Sequence, residues 1–101
     1  MKRAIVMNNR DTVATALEDL NQNEVVHLIS SSQEGLSKIS TRANIPFGHK
    51  LAITAMQKGG DVVKYGEIIG HASKNIEPGD YVHVHNLESK RMQLPEVWYR
   101  K

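Results

Sequence analysis

The sequence predicts one small, mainly β domain built from short strands and hairpins. Short runs of apolar and β-branched residues alternate with Gly, Pro and Asn, which is typical of strands separated by turns. A turn pattern with the same order of residue types also recurs along the chain. The length of 101 residues suits a single domain with a modest core.

The composition is that of an ordinary globular protein. Hydrophobic residues make up 40% of the chain and charged residues 24%, which argues against global disorder. The 13 Lys and Arg residues nearly balance the 11 Asp and Glu residues and are scattered, so the dense basic stripe of a nucleic-acid reader is missing. The chain has no cysteine, which excludes disulfides and thiolate metal sites.

The location expected from the sequence is the cytoplasm. No run approaches the ~20 apolar residues of a membrane helix. The basic N-terminus is followed by an apolar run over residues 4–7 that is too short for a signal peptide, and residues 8–11 are polar. We therefore expect the chain to bind neither a membrane nor a nucleic acid.

Eight segments have the pattern of strands. One of them, residues 12–17, is ambiguous, because its apolar residues fit both the alternation of a strand and a helical stripe that continues to Leu20. The recurring turn pattern favours the strand, and a helix is the alternative. The predicted strands cover residues 4–7, 12–17, 24–29, 36–42 at a sheet edge, 50–55, 62–65, 69–72 and 81–85.

The recurring pattern consists of an aliphatic residue, two spacers, a turn residue, an acid and then β-formers. It occurs over residues 20–26 (LNQNEVV) and 76–82 (IEPGDYV), and with one inserted residue over 56–63 (MQKGGDVV). Asn and Gly tolerate the left-handed conformation that tight turns need. Three copies in so short a chain predict a compact domain of similar strand–turn–strand units.

The segment 81–86 (YVHVHN) carries the densest group of candidate site residues. In a strand, Tyr81, His83 and His85 share one face, whereas Val82 and Val84 face the core. Residues two apart on one face have Cβ atoms roughly 6.5–7 Å apart. Two imidazoles at that spacing can converge on one divalent cation. The alternative is a solvated polar face on a half-buried strand.

Two further phrases carry groups suited to chemistry. In Gly48-His49-Lys50, the histidine can transfer protons near neutral pH and the lysine can neutralise a carboxylate. In Lys64-Tyr65-Gly66, the lysine can bind an anion with a hydrogen bond from the tyrosine. The alternatives are exposed turn residues in the first phrase and a strand end in the second.

Three phrases of the sequence carry a resemblance to a known family. They are IPxGHKxA at 45–52, GxxxKYGxxIGxA at 60–72 and IxxGxxVHxHNL at 76–87. In this order they resemble the N-terminal SAF-type domain of the altronate and galactarate dehydratase family. The small subunit of sulfolactate sulfo-lyase is similar too. The HVHN phrase favours the altronate-like or sulfolactate-like branch over the galactarate type.

The resemblance implies a β-clip fold, with residues 1–91 forming the SAF-like domain and residues 92–101 a C-terminal tail that contains Trp98 and Tyr99. It implies lyase chemistry, the β-elimination of water from a sugar acid. In family members with both parts, the domain precedes a much larger catalytic region. This chain therefore looks like a separate small subunit that completes the active site of a larger one.

The resemblance also implies roles for individual residues. His49 and Lys50 are expected to be catalytic, and Lys64, Tyr65 and Asn86 to bind substrate. His83 and His85 are the expected ligands of ferrous iron or manganese, and it stays open whether further ligands lie on this chain or on the partner.

The expected partners are a large dehydratase-family subunit and a sugar-acid or sulfolactate-like carboxylate, and self-association of the isolated chain stays open. Two other functions also stay open. The chain could be the small subunit of a sulfolactate sulfo-lyase, or a non-catalytic SAF-type binding or assembly module.

Overall fold

A computed structural model describes residues 2–30 and 37–89, which form nine β-strands and no helix. The predicted class, a small, mainly β SAF-like domain, is confirmed. The strands are β1 (Lys2–Val6), β2 (Val13–Ala16), β3 (Val25–Ser30), β4 (Ser37–Ser40), β5 (Lys50–Ala52), β6 (Asp61–Lys64), β7 (Glu67–Ala72), β8 (Tyr81–Val82) and β9 (Leu87–Ser89).

The strands form two sheets. The first has six strands in the order β4-β3-β1-β2-β5-β8, and the second has three in the order β6-β7-β9. All neighbours are antiparallel except β1 and β3, which run parallel. The ambiguous segment 12–17 contains strand β2, and the predicted edge strand corresponds to β4. Strand β9, which follows the turn at 83–86 and pairs with β7, was not predicted from the sequence.

Two clusters of buried side chains form the core. Many members are alanines, which allow short strands to pack closely in a small domain. The first cluster contains Ala4, Ala14, Ala16, Leu20, Val26, Ile45 and Leu51. The second contains Val13, Ala52, Met56, Val62, Ala72, Ile76 and Val82.

The recurring turn is present four times, one more than the sequence analysis found. The fourth copy covers residues 45–49 (IPFGH), where a histidine stands at the position of the acid. Each copy starts at a buried aliphatic residue, and the residue three positions later has a positive φ. These left-handed residues are Asn23 (64°), Gly48 (83°), Gly59 (87°) and Gly79 (92°).

The four turns form two bridged pairs, one in each core cluster. Leu20 and Ile45 exchange two backbone hydrogen bonds of 2.8 Å in the first cluster. Met56 and Ile76 exchange bonds of 2.9 and 2.8 Å in the second. We call these the 20/45 pair and the 56/76 pair.

Every turn is also fastened to one small buried residue by two backbone bonds. In the turn at 45–49, Gly48 N–H donates to the carbonyl of Ala16 over 2.9 Å, and Ala16 N–H donates to the carbonyl of His49 over 2.8 Å. The corresponding anchors of the turns that start at residues 20, 56 and 76 are Thr41, Ala72 and Ala52. Strands β3, β5, β6 and β8 each begin directly after such a turn. The backbone at His49 and Lys50 is therefore held by the same set of hydrogen bonds that recurs in the other three turns.

Candidate functional site

Four rings from two segments of the chain lie in contact, and we call them the ring cluster. His49 comes from the turn before β5, whereas Tyr81, His83 and His85 come from β8 and the turn after it. The rings of Tyr81 and His83 are stacked, with centroids 5.4 Å apart and planes at 6°. His49 meets the edges of Tyr81 at 5.7 Å and His83 at 5.3 Å, and His85 meets Tyr81 at 5.7 Å. The structure thus brings together the histidines of two predicted site phrases.

One hydrogen bond joins the two halves of the ring cluster. The hydroxyl oxygen of Tyr81 lies 2.8 Å from Nδ1 of His49. Tyr81 was not among the predicted site residues, because its partner is 32 positions away in the sequence. The two residues are brought together by the pairing of β5 with β8, which places Leu51 opposite Tyr81.

The prediction of one strand over residues 81–85 is wrong. Strand β8 ends at Val82, and the N–H groups of Asn86 and Leu87 both donate to the carbonyl of His83, over 3.0 and 2.8 Å. Val84 is 81% exposed at the tip of this turn and does not face the core. A turn, and not the alternation of a strand, therefore brings His83 and His85 to the Tyr81 ring.

Asn86 lies inside this turn. Its side chain is buried, its amide oxygen accepts the N–H of His83 over 2.9 Å, and its amide nitrogen donates to the carbonyl of Tyr81 over 2.8 Å. These two bonds hold the turn closed and place His83. The structure gives Asn86 this structural role, and its predicted contact with substrate stays a prediction.

A groove of about 670 Å³ lies beside the ring cluster and contains both lysines of the predicted site. Lys50 and Lys64 line it, together with Tyr65 and His83. His83 therefore belongs to both the groove and the ring cluster, whereas His49 is not among the described lining residues. The remaining lining residues are Ile69, Ser73, Val84, Leu87, Glu88 and Ser89.

The electrostatics of the groove favour an anion. Burial lowers the pKa of the Lys50 ammonium from its ordinary value, and repulsion from Lys64 lowers it further. Glu88 also lines the groove, but its carboxylate oxygen Oε1 lies 2.6 Å from Nε2 of His71. Within the described residues, no ion pair with an acid involves Lys50 or Lys64. Two cations are thus held near each other with no acidic partner from this part of the chain.

The Lys64-Tyr65-Gly66 phrase forms the turn of the β6–β7 hairpin. Tyr65 and Gly66 have φ values of 58° and 75°, as a two-residue type I′ turn requires. A tyrosine in this conformation costs about 1–2 kcal/mol, and such strain is typical of functional sites. The Lys64 ammonium lies 4.9 Å from the centre of the Tyr65 ring. Tyr65 is 58% exposed, so it is presented to solvent and not packed at the core edge.

Two residues of the β1–β2 turn fix this hairpin. The buried carboxylate of Asp11 accepts the N–H of Gly66 over 2.7 Å. Thr12 accepts the N–H of Val63 through its hydroxyl oxygen over 2.9 Å, and its own N–H donates to the carbonyl of Val63 over 3.0 Å. The sequence did not predict this contact of Asp11. A buried carboxylate gives no signal in the sequence that would reveal a partner 55 positions away.

The described residues do not contain a complete metal site. Among residues 2–30 and 37–89, no group of three or more His, Cys, Asp or Glu is arranged to hold a metal ion. His83 and His85 lie against the same Tyr81 ring and could supply two nitrogen ligands. Iron or manganese would then need further ligands from elsewhere, and metal binding by this pair stays a prediction.

Other expectations fall outside these contacts. The C-terminal tail with Trp98 and Tyr99 lies outside the described residues. In the part of the chain that the structure describes, no helix is long and apolar enough to cross a membrane.

The sequence matches a known protein family. The sequence profile described as "Altronate/galactarate dehydratase SAF domain" matches residues 2–90. The chain therefore belongs to this family of SAF domains, and the resemblance predicted from the sequence phrases is confirmed.

Individual relatives include two large enzymes and one small subunit. The chain is 36% identical over 89 residues to altronate dehydratase of Bacillus subtilis, which covers 88% of the chain but 17% of that enzyme. It is 34% identical over 90 residues to altronate dehydratase of Escherichia coli, again covering 17% of the enzyme. It is 43% identical over 54 residues to (2R)-sulfolactate sulfo-lyase subunit alpha of Paracoccus pantotrophus, which covers 54% of the chain and 81% of that subunit. The chain thus spans about a sixth of the length of the altronate dehydratases it matches.

Proposed function

We propose that this chain is the small subunit of a hydro-lyase, in which it binds the carboxylate of a sugar acid and completes the active site of a larger dehydratase-family subunit. The observation that carries the proposal is the convergence of Lys50, Lys64 and His83 on one groove beside His49. A sugar acid presents a carboxylate and hydroxyl groups, which suit two cations and a set of imidazoles. The short strands and tight turns also fit the β-clip topology that the resemblance implies. We expect a cytoplasmic location.

The chemistry proposed is the β-elimination of water. A proton α to the carboxylate is removed while the β-hydroxyl leaves, which needs a base, an acid or metal, and a cation for the carboxylate. Lys50 and Lys64 neutralise the carboxylate, and Tyr65 adds a hydrogen bond at the rim of the groove. His49 transfers protons from a backbone position that the Ala16 anchor fixes. Asn86 contributes by holding the turn that carries His83.

A metal ion would bind where this chain meets its partner. His83 and His85 would be its ligands from this chain, and the partner would supply the others. Ferrous iron or manganese, when bound, would act as a Lewis acid on the leaving hydroxyl. Because the described residues offer two histidines and no third ligand in place, this metal site depends on the complex.

The need for a partner has two supports. The matching region is 17% of each altronate dehydratase, so most of those enzymes lies outside it. The sulfo-lyase relative is named as a subunit. We therefore expect the isolated chain to fold but to catalyse no dehydration.

Two other functions have specific support. The 43% identity to a sulfolactate sulfo-lyase subunit favours a carbon–sulfur lyase with sulfite as the leaving group. The incomplete set of metal ligands in the described residues favours a non-catalytic binding or assembly module. The first alternative differs from the proposal in the substrate, whereas in the second the chain takes no part in catalysis.

Steady-state kinetics of the co-purified complex test the proposal. Lys50→Met and Lys64→Met should each raise KM by roughly 10- to 100-fold, because a hydrogen bond to a charged group contributes about 1.5–3 kcal/mol. His49→Gln should lower kcat by roughly 10²- to 10⁴-fold, the usual contribution of a general acid or base. Lys58→Met, on an exposed turn of the 56/76 pair, should leave both constants unchanged.

The outcomes separate the candidate functions. Wild-type constants for the Lys50, Lys64 and His49 variants would reject the groove as the active site. Turnover of sulfolactate in place of hexonates would select the sulfo-lyase. Failure to co-purify with any large subunit, or robust dehydration by the chain alone, would reject the small-subunit role.

A further inference from the structure

We propose that Tyr81 is a positioning residue, which sets the orientation and protonation pattern of the His49 ring. The catalytic consequence rests on the proposed function, but the geometry does not. Tyr81 touches every histidine of the ring cluster: it bonds His49, stacks on His83 and meets the edge of His85. No other described residue joins the GHK phrase to the HVHN phrase through both a hydrogen bond and ring contacts.

A hydrogen bond between a tyrosine hydroxyl and an imidazole can run in either direction. A neutral imidazole has one N–H and one acceptor nitrogen, whereas a tyrosine hydroxyl can both donate and accept. The hydroxyl oxygen of Tyr81 lies 2.8 Å from Nδ1 of His49. In the proposed arrangement Tyr81 donates, so that a neutral His49 accepts at Nδ1, carries its proton on Nε2 and presents Nε2 to a substrate.

Both ends of this bond are fixed by backbone contacts. The carbonyl of His49 accepts the N–H of Ala16, and the carbonyl of Tyr81 accepts the side-chain amide of Asn86. Tyr81 also lies opposite Leu51 in the β5–β8 ladder. The His49 ring is thus held between two rigid elements before any substrate arrives, which reduces the cost of orienting a catalytic group.

Nitrogen NMR of the isolated, histidine-labelled chain tests the geometry without a partner or an activity. The spectra are recorded about two pH units above 6.5, the ordinary pKa of a histidine in a model peptide. Tyr81→Phe removes only the hydroxyl and keeps the ring that stacks on His83. We expect the Nδ1 resonance of His49 to move in this variant, because its hydrogen bond is lost. The matched control Tyr65→Phe removes an exposed phenol and should leave that resonance in place. An unmoved Nδ1 resonance in Tyr81→Phe would overturn the proposal.

Kinetics of the assembled enzyme test the action through His49. Tyr81→Phe should lower kcat about 10-fold with little change in KM, as expected for the loss of one hydrogen bond that orients a catalytic group. In a His49→Gln background the same change should have no further effect, because the group it orients is gone. Additive losses would overturn the claim that Tyr81 works through His49. A shifted Nδ1 resonance in a chain that joins no active lyase would support the positioning role and reject the proposed function.

Discussion

The 20/45 and 56/76 turn pairs share one backbone plan and differ in the residue that follows the left-handed position. Each pair contains one turn whose acid accepts an N–H of its own turn: Glu24 accepts from Asn21 over 2.8 Å, and Asp80 accepts from Glu77 over 2.7 Å. In the other turn of the 56/76 pair this position is Gly60. In the other turn of the 20/45 pair it is His49.

This difference shows which position of the turn is available for function. Because Gly60 has no side chain, the turn forms without a side-chain contribution at that position. The second residue of the turn at 45–49, at the position of Asn21 and Glu77, is Pro46, which has no N–H for an acid to accept. His49 therefore does not accept an N–H of its own turn, as Glu24 and Asp80 do. Its ring forms a hydrogen bond with Tyr81 instead. The turn at 45–49 thus carries the predicted catalytic residue His49, and the other one, Lys50, follows it as the first residue of β5.

The largest expected effect on stability comes from replacing the left-handed glycines of the two turn pairs. Gly79 and Gly48 occupy equivalent left-handed positions, but a Cβ on Gly79 would lie 2.1 Å from the carbonyl oxygen of Ser40, whereas a Cβ on Gly48 would have nothing within 4 Å. Gly79→Ala should lower the free energy of unfolding by about 3 kcal/mol through strain and overlap, and Gly48→Ala by about 1 kcal/mol through strain alone. Urea denaturation of the two variants measures both values. Equal losses would show that the two pairs do not differ in how tightly they are packed.

A smaller effect tests the contacts between the two turns of a pair. In three of the four turns, the residue before the bridging residue accepts an N–H from the partner turn. In the 56/76 pair, Asn75 Oδ1 accepts from Lys58 over 2.8 Å. Its counterpart is Ala55, and the matching position in the partner turn is Pro78, which has no N–H to offer. Asn75→Ala should cost about 1 kcal/mol, whereas Ala55→Asn should stay within about 0.5 kcal/mol of wild type.

The same contact can be rebuilt to sharpen this test. Ala55→Asn should stabilise the protein in a Pro78→Ala background, because an N–H is then present. A stabilising effect of Ala55→Asn in the wild-type background would contradict this account. In the 20/45 pair the same contact is made twice, by Asp19 to Phe47 and by Asn44 to Gln22, each over 2.8 Å.

Much of this plan is visible in the sequence, because local residue preferences dictate it. Short β-branched runs predicted every described strand except β9, and turn residues such as Asn23 and Gly59 predicted three of the turns. The fourth turn was missed because His49 replaces the acid that the pattern required. The strand over 81–85 was wrong because the side chain of Asn86 closes a turn there, although the alternating residues fit a strand equally well.

The site could be predicted in its parts but not in its arrangement. The three phrases could be selected as candidates from the sequence, because histidine, lysine and tyrosine side chains are suited to chemistry, and the roles of their residues stay predictions. The contacts of Tyr81 and Asp11 could not be predicted, because each depends on a partner brought near by sheet pairing or by docking of a hairpin. A local sequence pattern cannot predict contacts between residues that are far apart in the sequence.

The smallest expected effect concerns the charge of Lys50, directly after the turn at 45–49, and its influence on the free energy of unfolding. Burial and repulsion from Lys64 lower the pKa of Lys50 below its ordinary value of 10.5, so the folded state binds the Lys50 proton less tightly than the unfolded chain does. The free energy of unfolding should then rise as the pH increases from neutral, through the lowered pKa, towards 10.5. Lys50→Met keeps most of the apolar stem and removes the charge, so at neutral pH the variant should be more stable than wild type. Because Lys50 is only half-buried, solvent screening keeps the gain small.

The measurement is urea denaturation at neutral pH and near pH 10, with Lys58→Met as the control for an exposed lysine. The advantage of Lys50→Met over wild type should shrink at the higher pH, where wild type loses its proton, while Lys58→Met should follow wild type throughout. A Lys50→Met variant that is less stable than wild type at neutral pH would mean that the charge supports the fold. In that case the turn at 45–49 would be structural throughout, like its counterpart at 56–60, and the contrast between the two pairs would lose its functional meaning.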